Sequence, residues 1–276
     1  MPVLYPKVLK NVFTRPRRAV LVNLFDIIKF VLLMGAVIWF LARGTDRLGY
    51  NWQWYRVLQY FFYFKEDGIV AGPLIMGLMV TFKITGVSLL LSFSFGLIAA
   101  LFRLSNSFMA RSLARGYIEL IRNTPLLVQL FFIYFVLGPV LDIDRFTAAV
   151  LALSLFEGAY ASEIFRAGIV SISKGQWEAA FSLGLGNYLT YRHIILPQAI
   201  RWILPPLTGQ AISLIKDSAL VSTIAIYDLT MRGQAIIAET FLTFEIWFSI
   251  AAVYLLITTF LSLMVSFMAN RLKLNQ

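Results

Sequence analysis

Long apolar stretches recur along this chain and constrain its fold more than any other feature. Each reaches or approaches the ~20 residues that a helix needs to cross a bilayer. Of the 276 residues, 59% are hydrophobic and only 14% are charged, whereas a soluble domain has about 25% charged residues. A soluble protein of this size could not bury so much apolar surface. The sequence therefore predicts an all-α membrane protein.

About six transmembrane helices can be placed on these stretches. The predicted spans run from about Val20 or Ile27 to Ala42, Pro73 to Phe102, Ile118 to Leu137, Phe146 to Phe165, Leu196 to Ile215, and Phe244 to Met268. The fifth begins Leu196-Pro197 and contains Pro205-Pro206. Because proline removes an amide donor and kinks a helix, we expect that span to be interrupted twice. The interruption would be a packing kink, a wall of the translocation path, or a hinge moved by the loop that precedes it.

The basic residues predict the orientation of the spans. With the amino terminus inside, 14 Lys and Arg residues fall in inner segments, 7 in outer segments and 3 within spans. This asymmetry favours a multi-pass protein with both termini in the cytoplasm. It also explains the net charge of +10 without a nucleic-acid partner.

The chain divides into two predicted regions near the start of the second span. Residues 1–68 hold a basic amino terminus, the first span and an aromatic-rich outer segment from Tyr50 to Phe64. Aromatic side chains favour the membrane interface, so we expect a helix on the outer leaflet, with a docking surface for an external partner as the alternative. Residues 69–272 hold the other five spans.

A short motif lies between the fourth and fifth spans, on the predicted inner side. It reads Glu178-Ala179-Ala180, then Gly184, then Ile194-Ile195-Leu196-Pro197. The segment from Gln176 to Leu185 is expected to form a short helix. Gly184 would break it and allow a partner's backbone to approach closely. The motif is typical of a docking element rather than of a reactive site.

These residues resemble the cytoplasmic EAA loop of bacterial ABC importer permeases in sequence and spacing. The third span opens with residues 117–130, YIELIRNTPLLVQL, which resembles the Y-x-E-x-x-R-x-T-P-L-L-x-Q signature of the polar amino-acid uptake family. Further matches are AYASEIFRAGI at 159–169, KGQWEAA at 174–180, LPQA at 196–199 and KDSAL at 216–220. The resemblance covers about residues 70–272.

The resemblance implies a permease subunit of an ATP-driven importer for polar amino acids, of the histidine, glutamine, glutamate or arginine type, in the bacterial cytoplasmic membrane. Its fold would be a five-helix ABC importer core plus one amino-terminal helix. Its partners would be a cytoplasmic ABC ATPase dimer, a second identical or homologous permease and an extracytoplasmic solute-binding protein. The implied ATPase-coupling residues, in a loop at about 174–197, are Gln176, Glu178, Ala179, Ala180, Gly184, Ile194, Leu196 and Pro197.

The residue inventory predicts no chemistry in this chain. It lacks the G-x-x-x-x-G-K-[ST] phosphate cradle, so ATP and Mg are expected in the partner ATPase. It contains no cysteine and a single histidine, His193. Neither a histidine-based metal site nor a histidine-activated nucleophile within the membrane is therefore expected.

Four polar residues within spans are candidates for a substrate path. Glu157 lies near the middle of the fourth span, with Ser154 and Tyr160 three residues to either side, and Lys83 lies in the second span. A charge near the bilayer centre costs at least ~2.5–3.5 kcal/mol, so it must face protein or water. Glu157 and Lys83 could bind the two charges of an amino acid, or pair with each other.

Four more charged residues are candidates for ion pairs or a gate. Glu119 and Arg122 are three residues apart, as are Glu163 and Arg166. This spacing places each pair on one helical face and favours an ion pair. A structural or gating role is favoured over direct ligand binding.

Two alternatives to an amino-acid permease stay open at this point. An ABC importer for another small solute would share the EAA loop. A secondary transporter often shows paired inverted repeats, and none is apparent in the sequence.

Overall fold

The computed structural model describes residues 24–65 and 68–273. Two compact units divide between Trp52 and Gln53. In the first unit, α1 is Leu24–Leu48, with an apolar stretch at Ile27–Val37. The predicted basic amino terminus and the Val20 start of the first span lie outside the described residues.

The second unit contains eleven further labelled helices and one hairpin among the described residues. They are α2 (Leu58–Phe61), β1 (Phe62–Lys65), β2 (Gly68–Ala71), α3 (Pro73–Leu104), α4 (Phe108–Arg122), α5 (Leu126–Phe131), α6 (Gly138–Leu141), α7 (Arg145–Val170), α8 (Lys174–Ser182), α9 (Asn187–Thr190), α10 (Leu196–Asp217), α11 (Leu229–Thr240) and α12 (Thr243–Lys273). Trp54–Arg56 and Ser218–Ile224 form 3₁₀ turns, and Phe132–Leu137 and Tyr191–Ile195 form π-helical turns.

Three of the described helices, α3, α7 and α12, are long and apolar enough to cross a membrane. The segments Phe108–Arg122 and Leu126–Leu141 qualify as a fourth span only when counted together. The fifth predicted span corresponds to α10, which is less apolar because it includes prolines and polar side chains. A count of six spans therefore stays a prediction.

The third predicted span differs from a continuous helix. The chain bends by 105° between Arg122 and Leu126. Pro125 precedes the first turn of α5 in an extended conformation. The buried amide of Gln129 stabilises the corner because its Nε2 donates to the Ile121 carbonyl at 2.7 Å and to the Thr124 carbonyl at 3.0 Å. The signature residues thus form a fixed elbow.

Two other predictions were wrong in detail. The prolines do not interrupt the fifth span, because α10 continues through Pro205 and Pro206. The aromatic segment is not one interfacial helix. It forms a 3₁₀ turn, the single-turn α2 and an antiparallel hairpin in which Phe62 pairs with Ala71 and Tyr63 with Val70.

The α3–α7 contact is the main packing seam of the second unit, and small residues make it close. A Cβ added at Gly96 would lie 2.7 Å from the Ala161 Cβ, and one at Gly158 would lie 3.0 Å from the Phe95 Cβ. Small residues allow helix backbones to approach closely in membranes. The seam positions α7, which carries most of the candidate site.

Candidate functional site

The predicted coupling helix exists as α8, which spans Lys174–Ser182 rather than Gln176–Leu185. It ends in a Schellman motif: the Leu185 amide donates to the Ala180 carbonyl at 3.1 Å, and the Gly184 amide to the Phe181 carbonyl at 2.9 Å. Gly184 has a φ of +77°, and an added Cβ would have no neighbour within 4 Å. Its first role is therefore to adopt the left-handed conformation that ends the helix.

One face of the loop packs onto the rest of the chain. Ala180 is 2% exposed, and the Trp177 and Tyr191 rings meet edge to face with centroids 5.0 Å apart. The Gln198 amide of α10 donates to Gln176 Oε1 at 3.2 Å and to the Ile194 carbonyl at 2.8 Å. These contacts tie α8 to the first turn of α10, which contains Leu196 and Pro197.

The opposite face of the loop is exposed and apolar in this chain. Leu183 is 79% exposed, Tyr188 69% and Phe181 48%. The motif residues Glu178 and Ala179 are exposed as well. An exposed apolar face rimmed by polar residues is typical of a protein contact surface.

An acidic site lies between α7 and α10. Glu157 is 1% exposed, and its Oε2 accepts a hydrogen bond from the Gln210 amide. The carboxylate of Asp217 also interacts with Glu157 electrostatically. Two carboxylates beside one amide make this region suitable for a cationic group.

The structure does not bring the four path candidates together. The Ser154 hydroxyl donates to the Ser88 carbonyl of α3 at 3.3 Å. The Lys83 ammonium lies 5.0 Å from the centre of the Phe146 ring, on an exposed side chain. The proposed Lys83–Glu157 pair is therefore wrong, because Glu157 faces α10 instead.

A basic site lies one to two turns further along α7. Glu163 pairs with Arg166 at 3.0 Å, which confirms that predicted ion pair. The Arg103 guanidinium of α3 donates directly to the same carboxylate, and Arg122 of α4 lies 3.8 Å from it. Three arginines therefore surround one carboxylate.

The predicted Glu119–Arg122 pair was wrong. Glu119 accepts a hydrogen bond at 3.0 Å from the Asn123 amide, which also donates to the Glu119 carbonyl at 2.8 Å. Arg122, the last residue of α4, turns toward α7 and stacks over the Tyr160 ring at 5.2 Å. Spacing along α4 does not show that Arg122 contacts Glu163 and Tyr160 of a different helix, α7.

Sequence reasoning missed Arg103, Gln210 and Asp217 as neighbours of the two α7 glutamates. Each had a signal: a charged or amide side chain at the end of, or inside, an apolar stretch. The sequence does not show which helices lie side by side, so these residues could not be assigned to the two glutamates of α7.

Comparison with known proteins identifies the family. Residues 92–274 match the model described as binding-protein-dependent transport system inner membrane component. The chain belongs to this family.

Individual relatives extend the match beyond the family model. The glutamine transport system permease protein GlnP of Escherichia coli (strain K12) is 42% identical over 204 residues, covering 73% of this chain and 93% of the relative. The L-cystine transport system permease protein TcyB of Bacillus subtilis (strain 168) is 41% identical over 199 residues, covering 71% of this chain and 85% of the relative.

Solved structures agree with the fold. A crystal structure of an amino acid ABC transporter with histidines gives a TM-score of 0.68 at 40% identity, covering 72% of this chain and 94% of that chain. The MetNI methionine ABC transporter gives 0.63 at 17% identity, over 72% of this chain and 96% of that chain, and shows the fold alone. The predicted all-α membrane fold and ABC importer permease function are confirmed. The secondary-transporter alternative has no support.

Proposed function

We propose that this permease moves polar amino acids inward across the cytoplasmic membrane, past the acidic and basic sites on α7. The observation that carries the proposal is the order of charge along one helix: Glu157 with Asp217 nearby, then Glu163 surrounded by three arginines. A zwitterion needs both signs of charge. The relatives named for glutamine and cystine transport support the same substrate class.

The ATPase that drives transport is a separate subunit. The exposed face of the EAA loop, with Phe181, Leu183 and Tyr188, is the surface on which it docks. ATP and Mg bind to that partner, which forms a dimer under a pair of permeases. Both termini of this chain lie in the cytoplasm, and a solute-binding protein delivers substrate from the other side.

Coupling is mechanical in this proposal. Movement of the docked ATPase displaces α8, and the Gln176–Gln198 contact and the Trp177–Tyr191 stack carry the displacement to α10. Gln210 and Asp217, which neighbour Glu157, are on that same helix. ATP can drive the permease from one conformation to another only if the contacts between the ATPase and α8 differ between the two conformations.

The test is Gly184→Asp in the reconstituted transporter. A side chain is strained at a φ of +77° and projects from the docking face. We expect the permease to remain in the membrane while uptake falls below about 10% of wild type, since 1–3 kcal/mol of misfit shifts an equilibrium about 5- to 150-fold. Uptake of radiolabelled amino acids, co-purified ATPase and substrate-stimulated hydrolysis are measured on one preparation.

Asn187→Asp is the matched control, because it adds the same charge to the exposed loop without a change of backbone conformation. It should retain most of the uptake. Wild-type values of all three measurements for Gly184→Asp would contradict the coupling role of the loop.

A further inference from the structure

Residues 54–65 and 68–71 form a segment, which we call the collar, attached to the starts of two long apolar helices. It continues through Gly72 into α3, and the Gly72 amide donates to the carbonyl of the last residue of α2 at 2.7 Å. On the other side, the Gln53 amide donates to Glu245 Oε1 in the first turn of α12 at 2.7 Å. The collar is therefore held at the end where both helices begin.

That end lies opposite the EAA loop. Arg103 in the last turn of α3 pairs with Glu163 toward the end of α7, and the EAA loop follows α7 directly. The 32 residues of α3 extend for about 48 Å at about 1.5 Å per residue, whereas a bilayer with its headgroups is about 40–45 Å thick. The start of α3, and the collar with it, therefore reaches the polar surface of the opposite leaflet.

The collar has one buried face and one exposed face. Val57 is buried, and Tyr60 and Phe61 pack against the hydrophobic core formed by residues of α3, α11 and α12. The outward side chains are aromatic or aliphatic, and Tyr55 and Ile69 among them are 81% and 68% exposed. The outward set is Trp54, Tyr55, Leu58, Phe62, Tyr63 and Ile69. The buried face fixes the collar to the bundle, so the exposed face is presented at a constant position.

The exposed face continues the apolar surface of α12. The centroids of the Trp54 and Phe248 rings are 6.4 Å apart, and Phe248 and its neighbour Trp247 are exposed. In the apolar part of α12, only 6% of the helix is buried. Aromatic side chains at the end of a spanning helix favour the boundary between headgroups and acyl chains. The collar therefore extends a membrane-facing type of surface rather than a water-facing one.

The backbone of the collar limits how deep it can lie. β1 and β2 form a two-stranded sheet among the described residues, so each strand has one edge of unpaired N–H and C=O groups. An open sheet edge does not occur in the hydrocarbon region of a bilayer. The edges need water or headgroups, whereas the outward side chains favour acyl chains. Both requirements are met only at the interface between the two.

We propose that the collar is a lipid anchor, whose outward face inserts between the headgroups and upper acyl chains of the leaflet opposite the EAA loop. Because the collar is attached to α3 and α12, this contact fixes the depth at which both helices begin. The partner of the face is the lipid interface, rather than an external protein or a second permease. The inference does not depend on which solute is transported.

The test uses spin labels, for which this chain is well suited because it contains no cysteine. Tyr55→Cys and Ile69→Cys are each labelled with a nitroxide, and the complete transporter is placed in nanodiscs of phosphatidylethanolamine and phosphatidylglycerol. Two relaxing agents are compared: molecular oxygen, which concentrates in lipid, and a nickel chelate, which stays in water. Oxygen should relax both labels severalfold more than the nickel chelate does.

Glu239→Cys is the matched control, because Glu239 is exposed on α11 shortly before α12 begins and carries a charge that lipid would exclude. Its label should be relaxed more by the nickel chelate. The labels at Tyr55 and Ile69 lie in the 3₁₀ turn and in β2, so one position still gives the answer if the other variant fails to assemble.

Two results would overturn the inference. Greater relaxation by the nickel chelate at Tyr55 and Ile69 would place the face in water, as expected for a docking surface of an external protein. Weak relaxation by both agents would show that another protein subunit covers the face.

The effect on depth is tested separately with a label at Met79→Cys, an exposed position on α3. Adding Tyr55→Asp should lower the ratio of oxygen to nickel relaxation at this label, because a charged collar leaves the acyl region and α3 moves toward water. Gln59→Asp adds the same charge to the collar at an exposed polar position, so it should leave the ratio unchanged. An unchanged ratio in Tyr55→Asp, or an equal decrease in both variants, would overturn the anchoring role.

Discussion

Helices α7 and α12 are both long apolar spans, yet the chain buries them very differently. In the apolar part of α7, 61% of the helix is buried, whereas in the apolar part of α12 only 6% is buried. The more buried helix is the less apolar one, with a mean hydropathy of 1.4 against 2.2. Apolarity therefore does not decide burial here, in contrast to a soluble core.

Side-chain size explains the difference. α7 buries small residues, among them Ala149, Ala152, Gly158 and Ala161, which let α3 and α10 approach. α12 exposes large ones, including Leu255, Leu256 and Phe260, at 63–70%. Lipid tails are as apolar as leucine, so close packing rather than hydrophobic burial selects helix contacts in a membrane.

The largest expected effect is that of Gly158→Leu, which would disrupt the packing of α3 against α7. An added Cβ already lies 2.9 Å from the Tyr117 hydroxyl and 3.0 Å from the Phe95 Cβ. We expect destabilisation at or above ~3 kcal/mol, the upper end for overpacking. Thermal unfolding in detergent, followed by size-exclusion chromatography, measures it. Gly86→Leu on α3 is the control, because a Cβ added there has no neighbour within 4 Å. Equal melting temperatures of the two variants would contradict the claim that close α3–α7 packing stabilises the protein.

The next effect is on transport rather than folding. Glu157→Gln keeps the shape of the side chain and an oxygen to accept from Gln210, but removes the charge. We expect uptake to fall about tenfold, or its specificity to shift, while the ATPase still co-purifies. Glu239→Gln, an exposed site on α11, should leave uptake near wild type. Normal uptake by Glu157→Gln would make Glu157 a structural residue.

A smaller effect is expected at the exposed start of α7. Asp144 caps the helix, accepting from the Phe146 amide at 2.9 Å, and its hydrogen bond from the Thr147 hydroxyl lowers the pKa of the carboxyl. Asp144→Ala should cost about 1 kcal/mol at neutral pH. Because the folded-state pKa is lowered, this contribution is present above the unfolded-state pKa and is lost as the pH falls through the folded-state value.

Melting curves of both proteins across that acid range measure the Asp144 effect. Asp144→Ser, which keeps a capping oxygen without a carboxyl group, should retain most of the stability and lose its pH dependence. A constant difference between wild type and Asp144→Ser at every pH would contradict the role of the charge.

The smallest effect is expected on α12. Leu256→Ala removes a side chain that is 70% exposed, so the monomer should change by less than about 0.5 kcal/mol. Melting of the purified chain and the mass of the permease assembly are measured together. A large loss of monomer stability would contradict the comparison, whereas loss of the paired assembly alone would identify this face as a subunit contact.

The sequence predicted the features that depend on local pattern. The apolar stretches correspond to α3, α7 and α12, the coupling helix corresponds to α8 within two or three residues, and the Glu163–Arg166 pair follows from helical spacing. The elbow after Arg122 was missed because Gln129 makes it by bonding backbone eight residues earlier. The roles of Arg103 and Asp217 were missed because they depend on which helices lie side by side.

The arginines around Glu163 also set a condition on how the chain is made. Arg103 precedes Glu163 by 60 residues, and Arg122 also leaves the ribosome first. During synthesis both cations therefore reach the membrane before their carboxylate exists, at a cost of a few kcal/mol each for full insertion. The amphipathic α4, with Arg122 at its end, can wait at the water interface until α7 arrives. Insertion of α7 then neutralises part of this charge, so the two earlier arginines obtain their carboxylate partner only when a later helix docks beside them.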